Sequence, residues 1–144
     1  TKRIFHLSLL NLEKQQQKIP ELKFPAAIEL PSTILNDSIE DMDIVGDAVL
    51  ITADSSRLSL EASGTFSRAK IDLQKNEDVK ISIEKDSRIK AKYSIEYLKK
   101  IVKAGKLSST TIINFSNDYP LKLQYKVIDK LDLEFILAPR VQNE

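Results

Sequence analysis

The sequence predicts an α+β fold made of two similar halves, each a strand, a helix and then three strands (βαβββ), with both helices on one side of antiparallel sheets. Three observations predict it. Most of the chain alternates apolar and polar residues with the period of two that a half-buried strand requires. Only two segments carry the wider spacing of an amphipathic helix. Each of those segments closes at a glycine, Gly46 and Gly105, which lie 59 positions apart and are each followed by alternating strands. That spacing reads as an internal duplication, because solenoid repeats are shorter. Two short helices can bury only one face each, so both pack on the sheets and their outer faces share one surface.

Residues 1–10 read as a strand, with Phe5, Leu7 and Leu9 alternating against His6 and Ser8. Residues 11–24 lose any steady period and hold a polar block ahead of Pro20, which reads as an extended linker. Residues 25–144 then form one domain. Its first strand runs from Ala26 to Leu30, and Pro31-Ser32-Thr33 opens a helix for which Ser32 is the expected N-cap. Leu35, Ile39 and Met42 fall on one face of that helix, and Gly46 is the expected left-handed cap. Strands follow at Ala48 to Thr52, Leu58 to Ala62 and Phe66 to Leu73, with turns at Asp54-Ser55-Ser56 and near Gly64.

The second half repeats this order. Strands near Val79 to Ile83 and Ile89 to Tyr93 lead to a helix with Ser94 as its expected cap, apolar at Ile95, Leu98, Ile101 and Val102 and closed by Gly105. Strands at Thr110 to Phe115, Leu121 to Ile128 and Leu131 to Leu137 complete the domain.

Composition narrows the function. A chain of 144 residues, 42% apolar, holds one domain with a sizeable core and has no room for a second. It has no cysteine, which excludes disulfides, thiolate nucleophiles and cysteine-ligated zinc. Twenty-two Lys and Arg against 21 Asp and Glu give a net charge of +1, so attraction to nucleic acid must come from local arrangement. No apolar run has the roughly 18 residues of a membrane span, and the opening Thr1-Lys2-Arg3 leads into a strand, not a signal peptide. Lacking Met at its start, the chain reads as an excised piece.

Catalytic chemistry is thin. His6 stands alone, and no Ser/His/Asp set, phosphate-cradling glycine loop or paired histidines are present. Asp37, Glu40 and Asp41 lie on the polar face of the first helix and, with Asp43, read as solvated charge, not as a metal site. No catalytic residue, metal or cofactor is assigned.

Five short motifs carry a resemblance. Ile19-Pro20-Glu21, Gly46-Asp47-Ala48-Val49, Glu61-Ala62-Ser63-Gly64, Leu107-Ser108-Ser109-Thr110 and Leu137-Ala138-Pro139-Arg140 occur in the order and approximate spacing of DNA sliding clamps. The chain thus resembles the proliferating cell nuclear antigen family over its whole length, and its Leu-Ala-Pro-Arg ending with a short tail is similar to the archaeal members. The resemblance implies a subunit of two domains, three of which close into a ring around duplex DNA with helices inside and sheets outside. On that reading residues 1–10 are the last strand of an absent N-terminal domain, 11–24 the interdomain connecting loop, and 25–144 the C-terminal clamp domain. The implied location is the archaeal cytoplasm at the nucleoid, or the nucleus if the source is eukaryotic.

The resemblance also assigns surfaces. Ile19, Pro20 and Phe24, with Pro120, Ile136, Ala138 and Pro139, match the groove that takes a short motif of one Gln, one aliphatic and two aromatic residues. Taken singly, Pro120 and Pro139 read as strand punctuation and Ile136 as core. Gln17 stands where the family often has an aliphatic residue, and Ile136 where an aromatic is common. Lys99, Lys100, Lys103 and Lys106 match the DNA-facing side of the second helix, where the bland reading is ordinary surface lysine. Asp37, Glu40 and Glu96 occupy positions that are often basic, so DNA contact is expected to be weak and non-specific. Phe5 on the first strand and Phe66, Arg68 and Lys70 on the third strand after the helix match the two sides of the subunit boundary. Separated from its home sheet, the 1–9 arm is expected to seek an edge, as in head-to-tail pairing with another copy.

The implied partners are other clamp subunits in a homo- or heterotrimeric ring, duplex DNA, and replication and repair proteins such as polymerase, flap nuclease and ligase. No membrane is implied. The alternative is a stand-alone nucleic-acid-binding β-rich domain, which needs exposed stacking aromatics beside basic residues. Tyr93, Tyr97 and Phe115 are spaced like packing residues instead.

Overall fold

The computed structural model describes residues 3–8, 24–127 and 131–140. In chain order the elements are β1 (Arg3–Ser8), β2 (Ala26–Pro31), α1 (Ser32–Val45), β3 (Ala48–Asp54), β4 (Arg57–Ser63), β5 (Arg68–Gln74) and β6 (Lys80–Ser82). They continue as β7 (Arg88–Ser94), α2 (Ile95–Val102), a 3₁₀ turn (Lys103–Leu107), β8 (Thr110–Phe115), β9 (Leu121–Val127) and β10 (Leu131–Leu137). Two βαβββ units are present, β2 to β5 around α1 and β7 to β10 around α2, as the duplicated pattern predicts.

Alternation decides which way each strand faces. Val49, Ile51 and Ala53 of β3, Leu58, Leu60 and Ala62 of β4, and Thr111, Ile113 and Phe115 of β8 are buried, while their neighbours are not. The helices supply the opposing apolar stripe, Leu35, Ile39 and Met42 from α1 and Ile95, Leu98, Ile101 and Val102 from α2. Each such Leu or Ile contributes about 1.5–3 kcal/mol by leaving water, before its entropy cost.

The strands form two sheets. One has six strands in the order β1-β10-β9-β8-β2-β6, the other four in the order β5-β4-β3-β7. Every pairing is antiparallel except β1 on β10, which is parallel and sets Phe5 opposite Leu133. The arm expected to seek an edge thus lies on one in its own chain. Between the sheets, β7 is held by chain outside any strand. Lys90 N–H donates to Asn117 Oδ1 at 2.8 Å, Asp118 N–H to the Lys90 carbonyl at 3.2 Å, and Arg140 N–H to the Lys92 carbonyl at 2.7 Å.

The helix ends depart from expectation. Ser32 does not cap α1; Pro31 holds the N-cap position, and the Ser32 hydroxyl lies 2.7 Å from Thr111 Oγ1 with both residues buried. Two buried hydroxyls satisfy each other there, which outweighs a cap that solvent could replace. Ser94 is the N-cap residue of α2, yet its side chain makes no cap bond. Instead the Ile95 N–H donates to the Asp47 carbonyl at 3.0 Å. Gly46 is extended, with φ −151°, not left-handed. Glycine is needed for space, since a Cβ there would sit 2.9 Å from the Ser63 carbonyl oxygen. Gly105 lies inside the 3₁₀ turn that continues α2 beyond Val102, so it does not end the helix.

The β3–β4 turn has a specific lock. Asp54 Oδ1 accepts from Ser56 N–H and Ser56 Oγ, both at 2.8 Å, and from Arg57 N–H at 3.0 Å. The Ser56 bonds, backbone first, hold the Asp54 pKa below its ordinary 3.8. The ionised carboxylate therefore stabilises the turn above the unfolded-state value, and this contribution fades as pH falls through the lower folded value. Asp54→Ala is expected to cost about 1 kcal/mol, a drop of a few degrees in Tm at neutral pH that shrinks in acid. Equal losses at pH 7 and pH 2.5 would show that the turn does not depend on the charge.

Candidate functional site

The outer face of the six-stranded sheet collects residues from three separate parts of the chain. Phe24, just before β2, meets the Tyr119 ring edge to face at 5.7 Å, and the Lys122 ammonium lies 5.4 Å from the centre of the Phe24 ring. Lys122 pairs in register with Ile136 across β9 and β10. Phe135 and Leu137 pack toward the core, so Ile136 faces outward, although only 7% of it is exposed. Pro120 precedes β9 and Ala138-Pro139 follow β10; all three are half-buried. Ile19 and Pro20 lie outside the described residues.

This arrangement rests on a buried anchor. Tyr93 is fully buried on β7 and its hydroxyl donates to the Tyr119 carbonyl at 2.5 Å. Burial pushes the Tyr93 pKa well up, with the Asp118 charge adding to it, so the phenol keeps its proton and remains a donor. Tyr119 and Lys122 were not singled out from the sequence. The aromatic directly before Pro120 was the available signal.

The helix face is a second surface. Lys99, Lys100, Lys103 and Lys106 are all exposed. They are not equivalent, because Lys99 Nζ sits 2.9 Å from Asp43 Oδ2 on α1. That hydrogen bond and charge raise the Lys99 pKa, with Glu40 and Glu96 adding at longer range. Sequence reading set Asp37, Glu40 and Glu96 against the lysines; the direct partner is Asp43, which the helix crossing brings over. Lys100 Nζ lies 5.7 Å from the centre of the Tyr97 ring. Below this face the Tyr125 hydroxyl donates to the Ile101 carbonyl at 3.2 Å, and burial pushes its pKa up to about 12. Tyr93 and Phe115 are fully buried and Tyr97 is 43% exposed, which leaves little for base stacking.

The third surface is the β5 edge. β5 pairs with β4 alone among the described residues, with Ala69, Ile71 and Leu73 half-buried and Arg68 and Lys70 exposed. Arg68 forms an ion pair with Glu61. Phe66 in the hairpin is 97% exposed, and Ile44 at the end of α1 is 84% exposed. Ile44 was missed although it falls off the Leu35, Ile39 and Met42 stripe, on the side of α1 that faces away from the core. Phe5 is placed on β1, away from this edge in the single chain.

The family model for the C-terminal domain of proliferating cell nuclear antigen matches residues 18–140. The chain belongs to this family. The match takes in nearly all of the described fold and the whole of its outer-face cluster. Among relatives, the "DNA polymerase sliding clamp" of Nanoarchaeum equitans is 36% identical over 140 residues, 96% of this chain and 56% of that protein. The protein of the same name from Methanothermobacter thermautotrophicus is 35% identical over 143 residues, 99% of this chain and 56% of its own length. "DNA polymerase sliding clamp 1" of Thermococcus kodakarensis is 32% identical over 142 residues, 99% of this chain and 57% of its own length. The chain therefore spans about half the length of the curated relatives it matches. Among the described residues, no helix of this clamp-family domain is long and apolar enough to cross a membrane.

Proposed function

We propose that this clamp-family chain acts as the C-terminal half of a DNA sliding clamp subunit, a ring component and docking platform without catalysis of its own. The family match over residues 18–140, on a fold that keeps its helix face apart from its outer sheet face, carries this reading. Residues 1–10 correspond to the last strand of a preceding domain, 11–24 to the connecting loop, and 25–144 to the C-terminal domain. Three subunits, identical or paralogous, close the ring through the Phe66, Arg68 and Lys70 edge of one and the Phe5 strand of the next. Polymerase, flap nuclease and ligase dock on the outer face, and tethering raises their effective concentration at DNA.

Lys99, Lys100, Lys103 and Lys106 face DNA in this proposal, but weakly. Lys99 is held by Asp43, and α1 presents Asp37, Glu40 and Asp41 on its exposed side. Duplex binding by the chain is expected to be no tighter than about 10⁻⁴ to 10⁻⁶ M, with a shallow salt slope. Asp43→Ala releases Lys99 and removes a negative charge, so it should tighten binding about threefold, whereas Lys99→Ala should barely weaken it. Fluorescence anisotropy with a labelled duplex across salt concentrations reads this directly. Nanomolar binding at physiological salt, or no response to Asp43→Ala, contradicts the neutralised inner face.

A further inference from the structure

β7 is the end strand of the four-stranded sheet, and its two faces differ completely. Ile89, Ala91 and Tyr93 are buried in the core, while on the opposite face Arg88 and Lys90 are exposed and Lys92 is half-buried. Residues two apart on a strand repeat every 6.5 Å or so, so these three cations form a straight row. On the neighbouring strand β3 their register partners are Asp54, Thr52 and Leu50. Only Arg88 thus faces an acid, and Asp54 is already committed to the Ser56 and Arg57 turn. Among the described residues Lys90 and Lys92 form no ion pair, though Asp118, whose N–H bonds the Lys90 carbonyl, lies close by.

The row does not stand apart from the candidate docking face. The Arg140 N–H donates to the Lys92 carbonyl at 2.7 Å, so the Ala138-Pro139-Arg140 segment runs directly onto β7. The Arg140 guanidinium itself is 3.5 Å from Asp47 and partly neutralised, which leaves Lys92 and Lys90 as the open charges. A peptide seated between Ile136 and Pro139 that continues past Arg140 meets Lys92 and then Lys90.

We propose that β7 extends the docking face as a basic track that takes an acidic stretch flanking the partner's docking motif. An extended acidic segment repeats its own same-side carboxylates at the strand spacing, so two of them match Lys92 and Lys90. Duplex DNA is the poorer fit, because three cations with Asp54 and Asp118 at hand give few phosphate contacts. This inference rests on the docking role proposed for the outer face.

The test is calorimetry with three peptides. One carries only the Gln-aliphatic-aromatic-aromatic motif, and the others add three Glu residues on its N-terminal or C-terminal side. One of the two extended peptides is expected to bind about fivefold tighter than the plain one at low salt, with the gain fading at high salt. In the Lys90→Gln/Lys92→Gln double variant that gain disappears while the plain peptide binds as before. A thermal melt of the double variant matching the parent assigns the loss to charge and not to folding. Binding of the plain peptide without gain from either extension, or a gain that survives the double substitution, overturns the track and leaves the docking reading intact. Failure of all three peptides overturns both. Loss of duplex affinity in the double variant with no peptide gain makes the row a nucleic-acid contact and the proposal wrong.

Discussion

Gly64→Ala is expected to lower stability by about 2–3 kcal/mol, in the upper range for forcing extra volume into a packed site. The reason is space. A Cβ at Gly64 would lie 2.2 Å from the Val45 carbonyl oxygen, and both groups are backbone, so no rotamer change relieves the overlap. The Gly64 N–H also donates to the Ser67 carbonyl at 2.7 Å, which closes the β4–β5 hairpin where Gly64 abuts the end of α1. Separating hairpin and helix would displace the segment that carries Phe66 and the start of β5. Thermal unfolding should show a midpoint about 8–12 °C lower. Gly105→Ala serves as the comparison, since its Cβ would meet the Ser32 side chain at 3.0 Å and should cost less. A Gly64→Ala protein that melts with its parent would mean that the hairpin does not press on the helix.

The contrast between these glycines shows where sequence reading succeeds and where it stops. Period two in β4, with Leu58, Leu60 and Ala62, and the i, i+4, i+7 spacing of Leu35, Ile39 and Met42 report burial directly, and all six are in the core. Such patterns are legible because one buried face acts on every second or every third to fourth residue. A cap or a closing glycine is a local preference worth about 1 kcal/mol, and a tertiary contact can replace it. Ser32 found Thr111, 79 residues away, and Gly46 is shaped by Ser63 instead of by its own φ. The site divides the same way. Pro120, Ile136, Ala138 and Pro139 are assigned to it by the family resemblance alone. The contact of Phe24 with Tyr119, the Lys122 charge over that ring and the Asp43 bridge depend on chain segments brought together only by the fold.

The proposed docking face supports the other large effect. Phe24, Lys122 and Ile136 offer an apolar floor with one cation at its side, and the prolines leave few backbone donors to satisfy. An aliphatic side chain and two aromatic rings recover about 1.5–3 kcal/mol each on burial, reduced by the cost of ordering a flexible peptide. Micromolar affinity is the expected net result. Ile136→Ser places a hydroxyl in that floor and should weaken the peptide about tenfold, near 1.4 kcal/mol. Because Ile136 is only 7% exposed, the substitution also destabilises the fold, and binding must be measured well below its melting point. Lys99→Ala, on the helix face and tied to Asp43, should leave peptide affinity unchanged.

Calorimetric titration of the chain with a Gln-aliphatic-aromatic-aromatic peptide, run on the parent, Ile136→Ser and Lys99→Ala proteins, tests the docking-platform function most directly. The expected result is micromolar binding by the parent, about tenfold weaker binding by folded Ile136→Ser, and parent affinity for Lys99→Ala. No binding at millimolar peptide, or equal losses in the two variants, contradicts it.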